Sequence, residues 1–167
     1  SKILKAMGKK VVAVRHPMPY GDLSEQICQR FATYADLDKH KCTIEEREEY
    51  EPHIDNGFVV YAGVDYEKIL RAAEAEADVI LWDGGNNDTP FYTPTLQITL
   101  VDPHRAGHEA TYHADDVDVL LADHLRVNKV KTADPAKVAE VEATCRRLNP
   151  RATILRCNSE IRASDPA

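Results

Sequence analysis

The sequence predicts an α/β protein with a mostly parallel sheet of about six strands. Short, nearly continuous apolar runs alternate along the chain with longer stretches of helical periodicity. Continuous runs are typical of parallel strands that are covered on both faces, because neither side of such a strand meets water. The repeated strand–helix–strand order also predicts that successive strands run parallel, with the helices packed on the sheet.

Six apolar runs predict the strands, at residues 10–15, 58–61, 79–83, 98–102, 124–128 and 153–157. Helices are predicted at residues 23–34, 66–76, 117–122 and 135–148. The last helix has the clearest start, since Asp134 is a good N-cap and Pro135 fits the first helical position. Residues 1–7 followed by Gly8 predict the last turns of one more helix with a glycine cap, so we expect further chain to precede it.

The length of 167 residues fits one α/β domain that spans residues 1–167. Residues 35–57 differ from the rest because they are dense in charge, with a run of glutamates between Ile44 and Pro52. This segment predicts a solvated helix on a charged surface insertion. A mobile lid over a binding site is the alternative.

Composition narrows the function classes. Twenty-one Lys and Arg against 28 Asp and Glu give a net charge of -7, which excludes a broad nucleic-acid footprint but leaves room for a local basic cluster that binds one small anion. The longest apolar stretches are about five residues, whereas a membrane span needs roughly 20. The four cysteines show neither C-x-x-C nor zinc-finger spacing, which favours a reduced cytoplasmic protein.

Polar loops follow four of the predicted strands, at the sheet edge where α/β proteins bind ligands. Asp83 closes the third strand and is followed by Gly84 and Gly85. This is the form of a Walker B acid, which holds Mg²⁺ beside nucleotide phosphates, and the glycines would let the backbone approach those phosphates. A strand-terminating Asp-Gly turn is the alternative.

Asn128 and Lys129 resemble the start of the N-K-x-D motif with which GTPases bind a purine base. The residue that would read guanine is Lys131, a cation that cannot accept hydrogen bonds from the base. The pattern therefore disfavours GTP and leaves open a contact between Asn128 and adenine, with Gly84, Gly85 and Lys129 as the other nucleotide-binding candidates.

Histidines after the fourth predicted strand raise a zinc hypothesis, because His104 and His108 are four residues apart and His113 follows. Pro103 and Gly107 disfavour a regular helix across this stretch, so an anion site is the better interpretation. Its candidates are side chains that can donate hydrogen bonds to phosphate or carboxylate, namely Arg15, His16, His104, Arg105 and His108.

Five stretches taken together are more specific than any of these motifs. They are VVAVRHPMPYGDL, CTIEEREEYEPHID, VVYAGVDYEKIL, ADVILWDGGNND and VDPHRAGHE. With them the chain closely resembles the cyclic 2,3-diphosphoglycerate synthetase family of archaea and bacteria, from Ile3 to about Asp165. The resemblance implies a three-layer P-loop NTPase-like domain related to dethiobiotin synthetase. It also implies ATP-dependent closure of a phosphoanhydride within 2,3-diphosphoglycerate.

In that family a G-x-G-K-[ST] P-loop immediately precedes the helix that we expect to end at Gly8, and this sequence contains no such motif. We therefore interpret the chain as the part of the catalytic domain that follows the P-loop. Mg²⁺ and ATP are the expected cofactors, Asp83 is the expected catalytic and metal-binding residue, and the anion-site candidates are expected to bind a small phosphorylated acid. A P-loop-less anion-binding or regulatory module without catalysis is the alternative.

The strand that would lead to the P-loop is missing from the sequence together with that motif, and this affects the sheet. In the implied fold, the strand that leads to the P-loop lies beside the strand that ends at Asp83, so its place in the sheet would be empty. Each buried backbone group without a partner costs on the order of 1–3 kcal/mol, against a total stability of about 5–15 kcal/mol. We therefore expect the gap to be filled by a second copy, by additional chain segments, or by closure of the flanking strands.

Overall fold

The computed structural model describes residues 1–18, 20–84 and 89–160 of the chain. Within these residues it contains six α-helices and seven strands. In chain order they are α1 (Lys2–Ala6), β1 (Val11–Arg15), β2 (Gln29–Phe31), α2 (Tyr34–Lys39), α3 (Ile44–Asp55), β3 (Val59–Ala62), α4 (Tyr66–Glu74), β4 (Val79–Trp82), β5 (Ile98–Val101), α5 (Asp115–Leu121), β6 (His124–Val127), α6 (Pro135–Leu148) and β7 (Thr153–Arg156).

The predicted α/β class with mostly parallel strands is confirmed. All six predicted strands are present to within about one residue at each end, and a seventh, β2, is added. The strands of the described residues form two sheets, one of four strands in the order β2-β3-β1-β4 and one of three in the order β5-β6-β7. Every pairing is parallel except that of β2 with β3.

Contacts divide the chain into two compact units, Ser1–Gly84 and Gly85–Ala167. Each unit has its own sheet and its own cluster of buried apolar side chains. We describe the two units separately, and a single domain over residues 1–167 stays a prediction.

In the first unit, helices cover both faces of the sheet. The buried cluster on one face contains Leu37 from α2, Tyr50 from α3 and Val60 from β3. Neighbouring residues in a strand point to opposite faces, and the hydroxyl of Tyr61 donates to Glu76, just beyond α4, at 2.6 Å. The helix α4, which contacts β3, therefore lies on the other face. This unit has the three layers that the resemblance implies.

The charged segment 35–57 contributes to this core. It forms α2 and α3, and the side chains of Leu37 and Tyr50 are 0% and 1% exposed. Of the glutamates on α3, Glu45 and Glu48 are exposed, whereas Glu46 is buried as part of a capping box with Thr43. The segment is thus a packed layer of the first unit, and its motion as a lid stays a prediction.

The predicted helix over residues 23–34 is wrong. Asp22 accepts hydrogen bonds from the backbone and hydroxyl of Ser24, which makes a turn there. The chain then extends into β2, which pairs antiparallel with β3 and buries Gln29 and Phe31 on alternate positions. Tertiary pairing with β3 overrides the helical periodicity of this stretch.

In the second unit, α5 and α6 cover one face of the three-stranded sheet. The buried cluster there joins Val119 of α5 and Val141 of α6 to Leu125 and Val127 of β6. Two short 3₁₀ turns, Pro103–Arg105 and His108–Ala110, follow β5, where the sequence suggested no regular helix. In the part of the chain that is described, no helix is both long and apolar enough to cross a membrane.

Candidate functional site

The first unit brings four charged or ionisable side chains together where β1 and β4 end. Arg15, the last residue of β1, places Nη2 2.5 Å from Oε2 of Glu49 and Nη1 3.4 Å from Oδ2 of Asp83. Nε2 of His53 lies 3.3 Å from the same Asp83 oxygen. The carboxyl ends of two parallel strands and one face of α3 therefore form a single charged cluster.

Asp83 is held in its ionised form. The hydrogen bond from His53 contributes most to lowering the pKa of this carboxyl, and the charge of Arg15 lowers it further, against the opposing effect of burial. With a side chain that is 49% exposed, Asp83 is an anion that a ligand can reach.

The helix α3 supplies the two members of this cluster that the sequence analysis did not select, Glu49 and His53. They are four residues apart, so both lie on one face of the helix. Tyr50, buried against the sheet, and the Thr43–Glu46 capping box fix the rotation and the start of that helix. The spacing was visible in the sequence, but only the packing of α3 shows that this face meets the ends of β1 and β4.

The remaining candidates of the first unit lie in the loops that follow these strands. His16 follows Arg15 and is half-buried, whereas Gly84 follows Asp83 and is exposed. Gly85 lies outside the described residues. The roles assigned to these residues stay predictions.

In the second unit, an ion pair joins the ends of β5 and β6. Nζ of Lys129 donates to Oδ2 of Asp102 at 2.6 Å, and the backbone N–H of His104 donates to the other oxygen of that carboxylate at 3.0 Å. Burial raises the pKa of Asp102, but these two hydrogen bonds and the nearby charges of Lys129 and His104 together lower it below its usual value. Lys129 has a φ of +56°, a left-handed conformation that is uncommon for a residue with a side chain. Asp102 directly follows β5, as Asp83 directly follows β4. Asp102 was not selected as a candidate from the sequence.

The basic candidates after β5 are exposed. Nε2 of His104 lies 2.9 Å from the hydroxyl of Thr132, and the ring of His108 lies over Tyr112 with 4.5 Å between centroids. Arg105 makes no side-chain ion pair or hydrogen bond among the described residues. These side chains are available to an anion. Arg15 and His16 belong to the other unit, and a shared site for all five stays a prediction.

The loop after β6 contacts the segment after β7. Nδ2 of Asn128 donates to the hydroxyl of Ser159 at 2.8 Å, and the backbone N–H of Lys131 donates to Oδ1 of Asn158 at 2.8 Å. Nζ of Lys131 is paired with Glu160 at 3.0 Å. Lys131, which stands where the GTPase motif has its base-reading Asp, is thus paired with a carboxylate from the segment after β7.

The residues present fit Mg²⁺ better than zinc. Among residues 1–18, 20–84 and 89–160, no group of three or more His, Cys, Asp and Glu is arranged to hold a metal ion, so His104, His108 and His113 offer no zinc ligand set there. Mg²⁺ is commonly held by one or two carboxylates together with water and substrate phosphates. Asp83, ionised and half-exposed, meets that requirement.

Fold and sites together define an α/β protein that collects charged residues where its parallel strands end, as ligand-binding α/β proteins do. No family model matches the chain. It is similar to the arginine synthetase ArcE of Thermococcus kodakarensis, with 57% identity over 166 residues. This match covers 99% of the present chain and 37% of the relative, so the chain spans well under half of that protein's length.

Proposed function

We propose that this chain forms part of a nucleotide-dependent synthetase. The observation that carries the proposal is the 57% identity, over almost the whole chain, to a protein named as a synthetase. In a reaction of this class, the terminal phosphoryl group of the nucleotide moves to an oxygen of the substrate and the nucleoside diphosphate leaves. A nucleophile then forms the new bond and displaces phosphate.

Asp83 is the proposed ligand of Mg²⁺. When bound there, the ion would neutralise charge on the nucleotide phosphates. Ser1 is the N-cap of α1 and lies within electrostatic range of Asp83. A phosphate-binding loop placed just before α1, as the resemblance implies, would therefore lie beside Asp83.

Arg15 is the proposed phosphate or carboxylate ligand of the first unit. Its guanidinium now bridges Glu49 and Asp83, which holds it in place at the strand end. A divalent cation on Asp83 would compete with that contact, and the freed guanidinium donors would then face the anion. His53 contacts the same oxygen of Asp83 as Arg15 does, so α3 supplies one partner of Asp83, His53, and one partner of Arg15, Glu49.

Asn128 and Lys129 are the proposed nucleotide contacts of the second unit. Asn128 is half-buried at the end of β6, and its amide contacts Ser159. The pairing of Lys131 with Glu160 is compatible with a purine that is not guanine. We retain ATP as the proposed nucleotide.

The substrate has two candidates. The name of the Thermococcus relative favours a reaction that forms arginine, and the identity of 57% is the observation in its support. The resemblance of the five sequence stretches favours a phosphorylated acid, with closure of the phosphoanhydride ring in 2,3-diphosphoglycerate. Both are syntheses that nucleotide cleavage would drive, and we place arginine formation first.

Two assays on the intact protein separate the candidates. Arginine, ADP and phosphate are incubated together, and ATP formation is followed by luminescence, because a synthetase also catalyses its reverse reaction. In parallel, ATP and 2,3-diphosphoglycerate are incubated with Mg²⁺ and the phosphorus NMR spectrum is followed for a cyclic product. Arginine-dependent ATP formation supports the first candidate, a cyclic product supports the second, and the absence of both overturns the proposal.

The variant Asp83→Asn tests whether Asp83 takes part in whichever of the two reactions is observed. It keeps the size of the side chain but removes its charge, and we expect kcat to fall roughly 100-fold or more because phosphate charge is left unneutralised. Lys137→Ala, an exposed change on α6, is the matched control and leaves kcat unchanged. Equal rates for Asp83→Asn and the control would remove Asp83 from the mechanism.

An anion-binding module without catalysis is the alternative, and the exposed basic side chains after β5 favour it over other non-enzymatic functions. Titration calorimetry of the intact protein distinguishes it. Binding of 2,3-diphosphoglycerate without binding of ATP, together with no turnover in either assay, would support the module instead of the synthetase.

A further inference from the structure

The three-stranded sheet of the second unit has one covered and one open face. On the covered face, Thr99 and Val101 of β5 are buried, as are Leu125 and Val127 of β6, beneath α5 and α6. The residues that alternate with them lie on the opposite face. No described helix of this unit contributes to a buried cluster on that side.

Strand register shows which side chains make up the open face. In parallel pairing Ile98 is aligned with His124 and Thr153, and Leu100 is aligned with Arg126 and Leu155. The apolar members are well exposed, with Leu100 58%, Ile98 45% and Leu155 40% accessible. The open face, defined by these six residues, is thus apolar along β5, basic along β6 and half apolar along β7.

The open face differs from an ordinary solvated sheet face. Parallel sheets are covered on both faces in nearly all α/β proteins, whereas polar residues are expected where a sheet meets water. Arg126 at its centre makes no side-chain ion pair or hydrogen bond within the described residues. The face therefore combines exposed apolar area with a cation that has no carboxylate beside it.

We propose that the open face binds an amphipathic helix that carries acidic residues, supplied by polypeptide outside residues 1–167. The side chains of His124 and Arg126 are about 6.6 Å apart along the strand, close to the rise of about 6.0 Å over four helical residues. Carboxylates at positions i and i+4 of a helix lying along β6 would meet both. Leu, Ile, Val or Phe on its flanks would cover Ile98, Leu100 and Leu155.

The size of the Thermococcus relative points to a polypeptide source for the helix, since the present chain matches only 37% of it. None of the six residues of the open face belongs to the candidate site. The proposal therefore does not rest on the proposed function, and it would survive a failure of either synthetase assay.

A photo-crosslinking amino acid introduced at Leu100 of the intact protein tests the occupant. The same amino acid at Leu121, which is 54% exposed on α5 of the same unit, is the control position. We expect residue 100 to crosslink, and residue 121 not to crosslink, to a segment that is helical and carries Asp or Glu at i and i+4 among apolar residues. Crosslinks from residue 100 to the open face of a second copy, to lipid, or at no more than the control level would overturn the proposal.

Charge reversal then tests the recognition. With the crosslinked segment prepared as a peptide, Arg126→Glu should weaken its binding roughly tenfold or more, because like charges then meet. Arg126→Lys should keep binding within about threefold, since the charge is retained. A Lys substitution at the facing acidic position should restore binding to Arg126→Glu, and equal affinities of the Arg126→Glu and unsubstituted proteins would contradict the charge complementarity.

Discussion

Glu142 of α6 is a buried carboxylate that is paired with two arginines. Arg156 donates to it at 2.5 Å and Arg146 at 3.1 Å, while the side chain of Glu142 is only 8% exposed. The hydrogen bond from Arg156 contributes most to lowering the pKa of this carboxyl. A charge so placed stabilises the fold only while it remains ionised.

Glu142→Gln should lower the free energy of unfolding at pH 7 by about 1–3 kcal/mol, because a neutral amide then replaces the buried carboxylate that accepts from two arginines. The lowered pKa means that this stabilisation is complete above the unfolded-state pKa of about 4.3 and is lost as the pH falls through the folded-state pKa. Urea titrations at pH 7 and pH 3 should therefore show the difference from the unsubstituted protein shrinking in acid.

Glu140→Gln is the control for that measurement, since Glu140 is exposed and, among the described residues, pairs only with Lys137 on the same helix. Its cost should stay below about 0.5 kcal/mol at both pH values. A loss of similar size for the two variants would show that the burial of Glu142 does not matter.

Gly63 lies where the backbone of two segments comes closest. Its φ is +155°, and a Cβ there would lie 2.5 Å from the carbonyl oxygen of Ile27 and 2.8 Å from that of Gln26. These carbonyls accept hydrogen bonds from Asp65 and Val64, which dock the loop before β2 onto the end of β3. Only glycine satisfies both the conformation and the space.

Gly63→Ala should therefore destabilise the protein by about 2–3 kcal/mol, measured by urea unfolding. Gly107→Ala provides the comparison, because Gly107 also has a positive φ, +95°, but no atom lies within 4 Å of the added Cβ. Its cost should be about 1 kcal/mol, from backbone conformation alone. Equal losses would mean that the close approach at Gly63 carries no energetic weight.

At the scale of single elements, α6 shows how much one cap contributes. Asp134 accepts a hydrogen bond from the backbone N–H of Ala136 at 2.8 Å, and Pro135 occupies the first helical turn. The helix buries Val138, Val141 and Cys145 against the second sheet. Burial raises the pKa of the Cys145 thiol to about 11, so this cysteine belongs to the core and not to a reactive site.

Asp134→Ala should lower the stability of the protein by about 1 kcal/mol, because one backbone N–H at the start of α6 loses its acceptor. Thermal unfolding followed by circular dichroism measures the effect. Asp134→Asn, which keeps an oxygen acceptor at the same position, should recover most of the loss. Failure of that rescue would indicate that the charge, and not the cap, is responsible.

At the scale of the whole molecule, β4 stands at the edge of its sheet. Among the described residues it pairs only with β1, and all four of its residues, Val79–Trp82, are half-buried. We expect the position beside this strand to be filled, and unpaired strand edges favour association with other chains. The filling itself stays a prediction.

The isolated chain of 167 residues should therefore self-associate. Light scattering coupled to size-exclusion chromatography should give an average mass that rises above 18.7 kDa as the loading concentration increases. Added salt should change the association little, because backbone pairing and apolar contacts drive it more than charge does. A single species of monomer mass across the concentration range would contradict the expectation.

Much of this fold could be predicted from local pattern. The six apolar runs gave six strands, and α6 begins and ends at the predicted residues because Asp134 and Pro135 define its start chemically. The strand β2 could not be predicted in this way. Three residues paired with β3 are determined by a distant segment, and their own periodicity favoured a helix.

The candidate site, like the fold, was only partly predictable from local sequence pattern. Sequence by itself determined that Asp83, Arg15, Asp102 and Lys129 stand at the ends of strands, because strand ends are local events marked by a charge after an apolar run. Only the tertiary structure decided that Glu49 and His53 of α3 join Arg15 and Asp83, because the rotation of a helix is set by what Tyr50 packs against. Tertiary structure alone likewise left one face of the second sheet open, since which face a helix covers depends on the path of the chain between elements and not on the pattern within any one of them.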